Sequence, residues 1–199
     1  MGHGSVACRR KGRAVLALAA LVLAGCGAVA RNDAPSAAQL SADYKGAPAA
    51  LAALHTKANK LLGGDSAAFR RELKALRGYP VVVNKWASWC VPCQQEAAVF
   101  QEVAPHFART VAFIGDDVDE SSRGAGESWL RGHPVSYPSF FDGSGSINHL
   151  LANVLAPASF DFRPVTYFYN RSGQQVYFAF GPFLSDTTLE HDIRVYLGA

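Results

Sequence analysis

The chain lacks the clustered ligands of a metal site. His55, His106, His133, His149 and His191 stand singly, and the only short-spaced thiol pair is Cys90 and Cys93. A structural zinc site takes four ligands, usually as two such pairs, so no metal is expected. Also missing are a glycine-rich phosphate-binding motif and any internal repeat. Those absences exclude the nucleotide-binding fingerprints and the repeat architectures. The apolar run Ala14 to Ala24 has eleven residues. It extends only roughly 16 Å as a helix, about half of a bilayer core. Basic excess is confined to one end. The chain has 19 Lys+Arg against 16 Asp+Glu, but four of the basic residues are Arg9, Arg10, Lys11 and Arg13. Residues 26–199 carry a formal charge of −1, which leaves no electrostatic footing for a nucleic-acid partner.

What is present is a globular composition, 49% hydrophobic and 18% charged over 199 residues, enough for one domain with an appendage. A basic cluster ahead of a short apolar run reads as a secretory signal and not as a membrane span. The run ends in Leu23-Ala24-Gly25-Cys26, which resembles the bacterial lipobox. That resemblance implies a signal peptide over 1–25 and lipidation of Cys26, with two or more acyl chains giving a stable anchor. Residues 26–48 read as a flexible tether. The domain is then expected at the outer face of the cytoplasmic membrane, where disulfides persist.

With Cys8 in the signal and Cys26 lipidated, Cys90 and Cys93 are the remaining thiols. Two residues apart, they close almost no loop, so a disulfide between them would add little as a structural staple. The reading left for this C-x-x-C is redox chemistry.

The rest of residues 49–199 alternates strands and helices. A helix is expected over 49–62, stopped by Gly63-Gly64, and a second over 66–77 capped by Asp65. Together they make a helical extension over 49–78. Residues 80–87 form a continuous apolar, β-branched run that suits a buried strand. A helix over 94–109, a strand over 110–115 and an acidic loop from Asp116 to Glu120 follow. A helix over 122–132, an extended piece at 139–141 and a short helix over 147–155 come next. Strands 165–169 and 175–180 flank Asn170-Arg171-Ser172-Gly173 as a hairpin, and an amphipathic helix closes the chain over 187–197. The fold class is α/β, a central mixed sheet flanked by helices. The aromatic residues Tyr167, Tyr169, Tyr177, Phe178, Phe180 and Phe183 read as packing. Asp116, Asp117, Asp119 and Glu120 lack the calcium-loop pattern and read as a solvated loop.

Trp86-Ala87-Ser88-Trp89-Cys90-Val91-Pro92-Cys93 lies between a buried strand and a helix. A thiol at a helix N-terminus is stabilised as thiolate by the dipole and the free N–H groups. The thiolate is the nucleophile of disulfide exchange. Pro92 fits the first helical turn, where its missing donor and fixed φ are tolerated. Residues 80–93 resemble the thioredoxin superfamily, in particular the TlpA/ResA-like membrane-anchored thiol–disulfide oxidoreductases. The likeness extends with decreasing clarity to the C-terminus.

The resemblance implies a thioredoxin fold, with the Cys90–Cys93 pair as redox disulfide and no further cofactor. Cys90 would be the exposed attacking thiol and Cys93 the buried resolving one. Pro164, just before Val165-Thr166, would be the cis-proline beside the disulfide, with Thr166 following it at the substrate side. Trp89 would flank the site. Asn84 stands where thioredoxin has a buried acid, and Glu96 matches the acid of the TlpA/ResA branch. A buried carboxyl there would relay the proton of Cys93. Implied partners are protein thiol or disulfide substrates, a membrane redox partner and the membrane itself through Cys26.

Three positions depart from the family. Lys85 replaces a frequent aromatic and is read as snorkelling to solvent or as a charge near the buried acid. Ala97-Ala98 replaces a common proline, so the helix need not kink. Arg163 precedes Pro164 where a small or β-branched residue is usual, and its guanidinium is expected to lower the Cys90 pKa. The function expected is exchange of disulfides with proteins, as a reductant of the kind used in cytochrome c maturation. The alternatives are a disulfide oxidase or isomerase, a Cu(I)-binding chaperone on the same fold, a peroxidase and an inert structural lipoprotein. A chaperone typically has wider cysteine spacing and a distal His, and the motif around a single peroxidatic Cys is not evident.

Overall fold

The computed structural model describes residues 1, 2, 38, 42, 44–152 and 157–199. All but the first two residues of the signal, the Cys26 anchor and most of the tether lie outside the described residues. Among the described residues no helix is long and apolar enough to cross a membrane.

A six-stranded mixed sheet organises the domain. Its elements in chain order are α1 (Ala49–His55), β1 (Leu61–Leu62), α2 (Ser66–Ala75), β2 (Val81–Trp86), α3 (Val91–His106), β3 (Ala112–Val118), α4 (Arg123–Gly132), β4 (Ser139–Asp142), α5 (Ser146–Ala152), a 3₁₀ turn (Pro157–Asp161), β5 (Val165–Tyr169), β6 (Gln175–Phe180) and α6 (Asp186–Leu197). The strand order is β1-β4-β3-β2-β5-β6. The first four run parallel, and β5 and β6 are antiparallel additions. Every residue of β2 and β3 is buried, as expected for central strands covered on both faces.

Alternation along the strands separates two cores. Val82, Trp86, Phe113 and Phe168 face α3, α4 and α6, where they meet Phe100, Val103, Leu130, Leu189 and Ile193. Val81, Val83, Ile114 and Tyr167 face the other way, onto Leu51, Leu54, Phe69, Ile147 and Leu151 of α1, α2 and α5. Tyr167 and Phe168 are thus packing residues, as their sequence pattern suggests, whereas Phe180 at the sheet edge is exposed.

Several boundaries differ from the expectation. The helix expected over 49–62 stops at His55, and Leu61–Leu62 instead pairs in parallel with Ser139 and Phe140 as an edge strand. Two adjacent leucines at the end of a helical pattern also suit a short strand, and pairing with β4 decides between the two. Tyr44, placed in the tether by sequence, stacks on His55 with centroids 3.5 Å apart and donates to the carbonyl of Ser136. The packed domain therefore begins before residue 49. Asp65 caps α2 as expected, accepting from the amides of Ala67 and Ala68.

The acidic loop is the larger correction. Asp116 and Asp117 belong to β3 and are fully buried. Consecutive strand residues point to opposite faces, so the two carboxylates cannot share an ion. Asp116 lies beside Lys85 in the sheet and Asp117 beside Trp86. Burial pushes the Asp116 carboxyl well above its usual range. Burial and then the Glu120 charge push Asp117 up to about 9.

Gly115 shows why β3 tolerates no side chain between Asn84 and Ser139. A Cβ there would overlap Ser139 Oγ and lie 2.8 Å from Trp86 Nε1, a pair that is itself hydrogen-bonded at 3.2 Å. Gly115→Ala is expected to cost about 1–3 kcal/mol through overpacking. Urea unfolding measures it; a variant as stable as the parent would contradict this packing.

Candidate active site

The buried strand β2 delivers the chain to the start of α3. Cys90 is the N-cap of α3, in extended backbone, and its Sγ accepts the amide hydrogen of Cys93 at 3.2 Å. A sulfur thus occupies the place of a capping oxygen, in the field of the helix N-terminus. Pro92 sits in the first turn, where it leaves no further donor unpaired. Helix α3 continues unbroken through Ala97-Ala98, as the missing proline implied.

Cys90 and Cys93 are joined by a disulfide, with Cα atoms 5.2 Å apart. The expected contrast between an exposed and a buried cysteine is absent in this oxidised state. Cys90 is 3% exposed and Cys93 5%. The cap position folds Cys90 back over the helix start, so both sulfurs join the apolar cluster beneath.

Glu96 follows Cys93 by three residues on the buried face of α3, and it is not a solvated helix residue. Asn84 Nδ2 donates to its Oε1 at 2.6 Å, and the amide of Phe183 donates to its Oε2 at 3.2 Å. Burial outweighs both bonds and pushes the carboxyl up to about 8. A cavity of about 20 Å³ is lined by Cys93, Asn84, Tyr137 and Ser139 among others. Cys93 and Asn84, which holds Glu96, thus line one small cavity. Thr166 is buried opposite Asn84 on β5, and its hydroxyl has no hydrogen-bond partner among the described residues.

The Arg163–Pro164 bond is cis, as the resemblance implied. Arg163 does not have a free guanidinium. It pairs with the Asp119 carboxylate and lies 5.4 Å from the Trp89 ring centroid. Trp89 in turn donates its indole N–H to the Asp119 carbonyl at 2.9 Å. Three loops therefore close on one another beside the disulfide. The Ser88 amide and hydroxyl both donate to Glu120, which ties the loop before Cys90 to the end of β3.

Lys85 is the residue that sequence reasoning misplaced. It neither snorkels nor approaches Glu96. It is fully buried on the opposite face of the sheet, where its Nζ donates to Asn148 Oδ1 at 3.1 Å, to the Ser159 carbonyl and to the Phe160 carbonyl at 3.3 Å. Alternation along β2 offered the one available signal, since Asn84 and Lys85 must face opposite ways. Among the described residues no group of three His, Cys, Asp or Glu side chains is placed to hold a metal ion.

Comparison with known proteins agrees with this geometry. The sequence profile of the AhpC/TSA family matches residues 42–176. A thiol–disulfide oxidoreductase ResA of Bacillus thuringiensis subsp. konkukian is 30% identical over 90 residues, which are 45% of this chain and 51% of that protein. The chain spans about half the length of the curated relatives it matches first. A thiol:disulfide interchange protein of the thioredoxin family from Chlorobium tepidum TLS superposes with a TM-score of 0.57 at 21% identity, covering 63% of this chain and 84% of that one. A secreted Mycobacterium tuberculosis disulfide oxidoreductase gives 0.51 at 24% identity, over 60% and 84% of the two chains. The two structures establish the thioredoxin-like fold.

The raised Glu96 pKa has a consequence for stability. Between about pH 4.5 and about 8 the folded chain keeps a proton that the unfolded chain has released. The stabilisation from neutral Glu96 is complete below that window and is lost as pH rises through it, at up to about 1.4 kcal/mol per pH unit. Glu96→Gln keeps the side chain neutral throughout. Its stability should therefore fall less steeply across the window in denaturant titrations at stepped pH, and parallel curves for the two proteins would contradict the assignment.

Proposed function

The chain belongs to the AhpC/TSA family, and from that premise we propose that it is a thiol–disulfide oxidoreductase acting on proteins, in the reducing direction. The observation that carries this reading is the Cys90–Cys93 disulfide at the N-terminus of α3, one turn ahead of the buried Glu96 carboxyl on the same helix. In the reduced state the Cys90 thiolate attacks one sulfur of a substrate disulfide. A mixed disulfide forms and the other substrate sulfur leaves as thiolate. Cys93 then gives up its proton to the ionised form of Glu96, whose share grows as pH rises toward about 8, and attacks Cys90 Sγ. The substrate departs as a dithiol and the Cys90–Cys93 bond is restored, two electrons having passed outward. An external dithiol must then reduce the pair again, the role of a membrane redox partner. No cofactor enters this cycle.

A protein substrate is supported by the rim of the site. Trp89 and Val91 flank Cys90, Phe162 precedes the cis-proline by two residues, and Phe180 pairs with Val165 just after it. All four are at least half exposed. Apolar surface of this kind beside a reactive sulfur suits a polypeptide. Export and anchoring through Cys26 rest on the amino-terminal sequence, and the secreted Mycobacterium tuberculosis neighbour agrees with an extracytoplasmic site of action.

Two outcomes follow. Cys90→Ser should abolish insulin reduction, whereas Cys93→Ser should retain attack and accumulate a mixed disulfide visible by mass spectrometry. Exchange that survives Cys90→Ser would overturn the order of attack. In the reduced protein, Asp119→Asn unpairs the Arg163 charge and should lower the Cys90 thiol pKa by up to about one unit, and Arg163→Ala should raise it. Thiolate absorbance against pH reads both, and a Cys90 titration unmoved by either change would remove Arg163 from the site.

A further inference from the structure

Lys85 does more than fill a core position. We propose that Lys85 is a positioning residue, which fastens the cis-proline loop to the strand that leads into the dithiol. The inference rests on the exchange reading above and adds a residue to it.

Two ties from one residue bracket the loop. At its start, Lys85 Nζ donates to the carbonyls of Ser159 and Phe160. At its end, the Lys85 backbone pairs with Val165, the residue after Pro164. Residues 161–164 lie between the ties, and Phe162, Arg163 and Pro164 are among them. Strand β2 ends at Trp86, four residues before Cys90. One strand position thus holds both ends of the cis-proline loop close to the chain that enters the dithiol.

The surrounding groups serve the same fastening. Asn148 takes one Lys85 hydrogen on Oδ1 and donates from Nδ2 to the Phe160 carbonyl at 3.1 Å. Its own amide is held by Asp142 Oδ2 at 2.8 Å. Tyr167 donates to Ser159 Oγ at 2.8 Å. Asp116, beside Lys85 in the sheet, has no hydrogen-bond partner among the described residues and supplies only its field. An apolar side chain at position 85 would leave the Ser159 carbonyl with only the Phe162 amide, at 3.3 Å, and the Phe160 carbonyl with only Asn148 Nδ2.

The test uses the full chain with Lys85→Met and Asn148→Ala, the second leaving β2 untouched. Two disulfides are compared, insulin and hydroxyethyl disulfide. The protein substrate must lie along the cis-proline loop, whereas the small one needs only the sulfur. Each variant should lower the ratio of kcat/KM for insulin over hydroxyethyl disulfide at least tenfold. Amide exchange at residues 159–163 should rise at least tenfold, with α3 unchanged. An unaltered ratio, or equal losses on both substrates, would overturn the proposal. So would unchanged exchange in the loop. Should Lys85→Met fail to fold, Lys85→Gln, whose shorter side chain cannot reach both carbonyls, takes its place with the same expected outcomes. Failure of the parent chain to reduce either disulfide would refute the exchange reading instead, while the exchange rates of residues 159–163 would still decide the fastening.

Discussion

A sulfur atom caps a helix in this protein, and the rest of the site is arranged around that contact. Cys90 Sγ accepts the Cys93 amide, which holds the two cysteines in one turn and keeps the first sulfur in the positive field of α3. The contact requires a strand that ends at a fixed depth. β2 provides it because all six of its residues are buried and it is paired on both sides. Moving the strand by one residue would exchange its two faces and send Asn84 and Lys85 to the wrong sides of the sheet.

Those two neighbours divide the work. Asn84 faces α3 and holds Glu96, whose carboxyl is neutral over most of the acidic range because it is buried. Lys85 faces α5 and the 3₁₀ turn, and holds the segment that leads into the cis-proline. One strand thus holds the buried Glu96 carboxyl on one face of the sheet and the segment leading to the cis-proline on the other. The Arg163–Asp119–Trp89 contacts complete the rim and join loops from three parts of the chain.

Much of this was readable from local sequence. The β-branched run before Cys90, the Asp65 cap and the turn at 170–173 each act within a few residues. The cis-proline and the acid at 96 came from resemblance, since nothing local requires them. Asp116 and Asp117 were misread because an acidic run resembles a solvated loop. Their burial depends on neighbours outside the acidic run, Lys85 on the adjacent strand and Gly126 on α4, the latter leaving space where a Cβ would meet Asp117. Leu61–Leu62 became a strand for the same reason, through pairing with β4. Cys90 lost its expected exposure because the cap folds it over the helix start.

The central claim is that Cys90–Cys93 is a working two-electron couple that gives electrons to proteins. Equilibrating the full chain with dithiothreitol buffers of stepped potential tests it most directly. The account predicts a reversible transition near about −270 mV, the range of a thioredoxin reductant. A midpoint near about −120 mV would mark an oxidant, and a bond still closed below about −300 mV would mark a structural disulfide; either result would contradict the account.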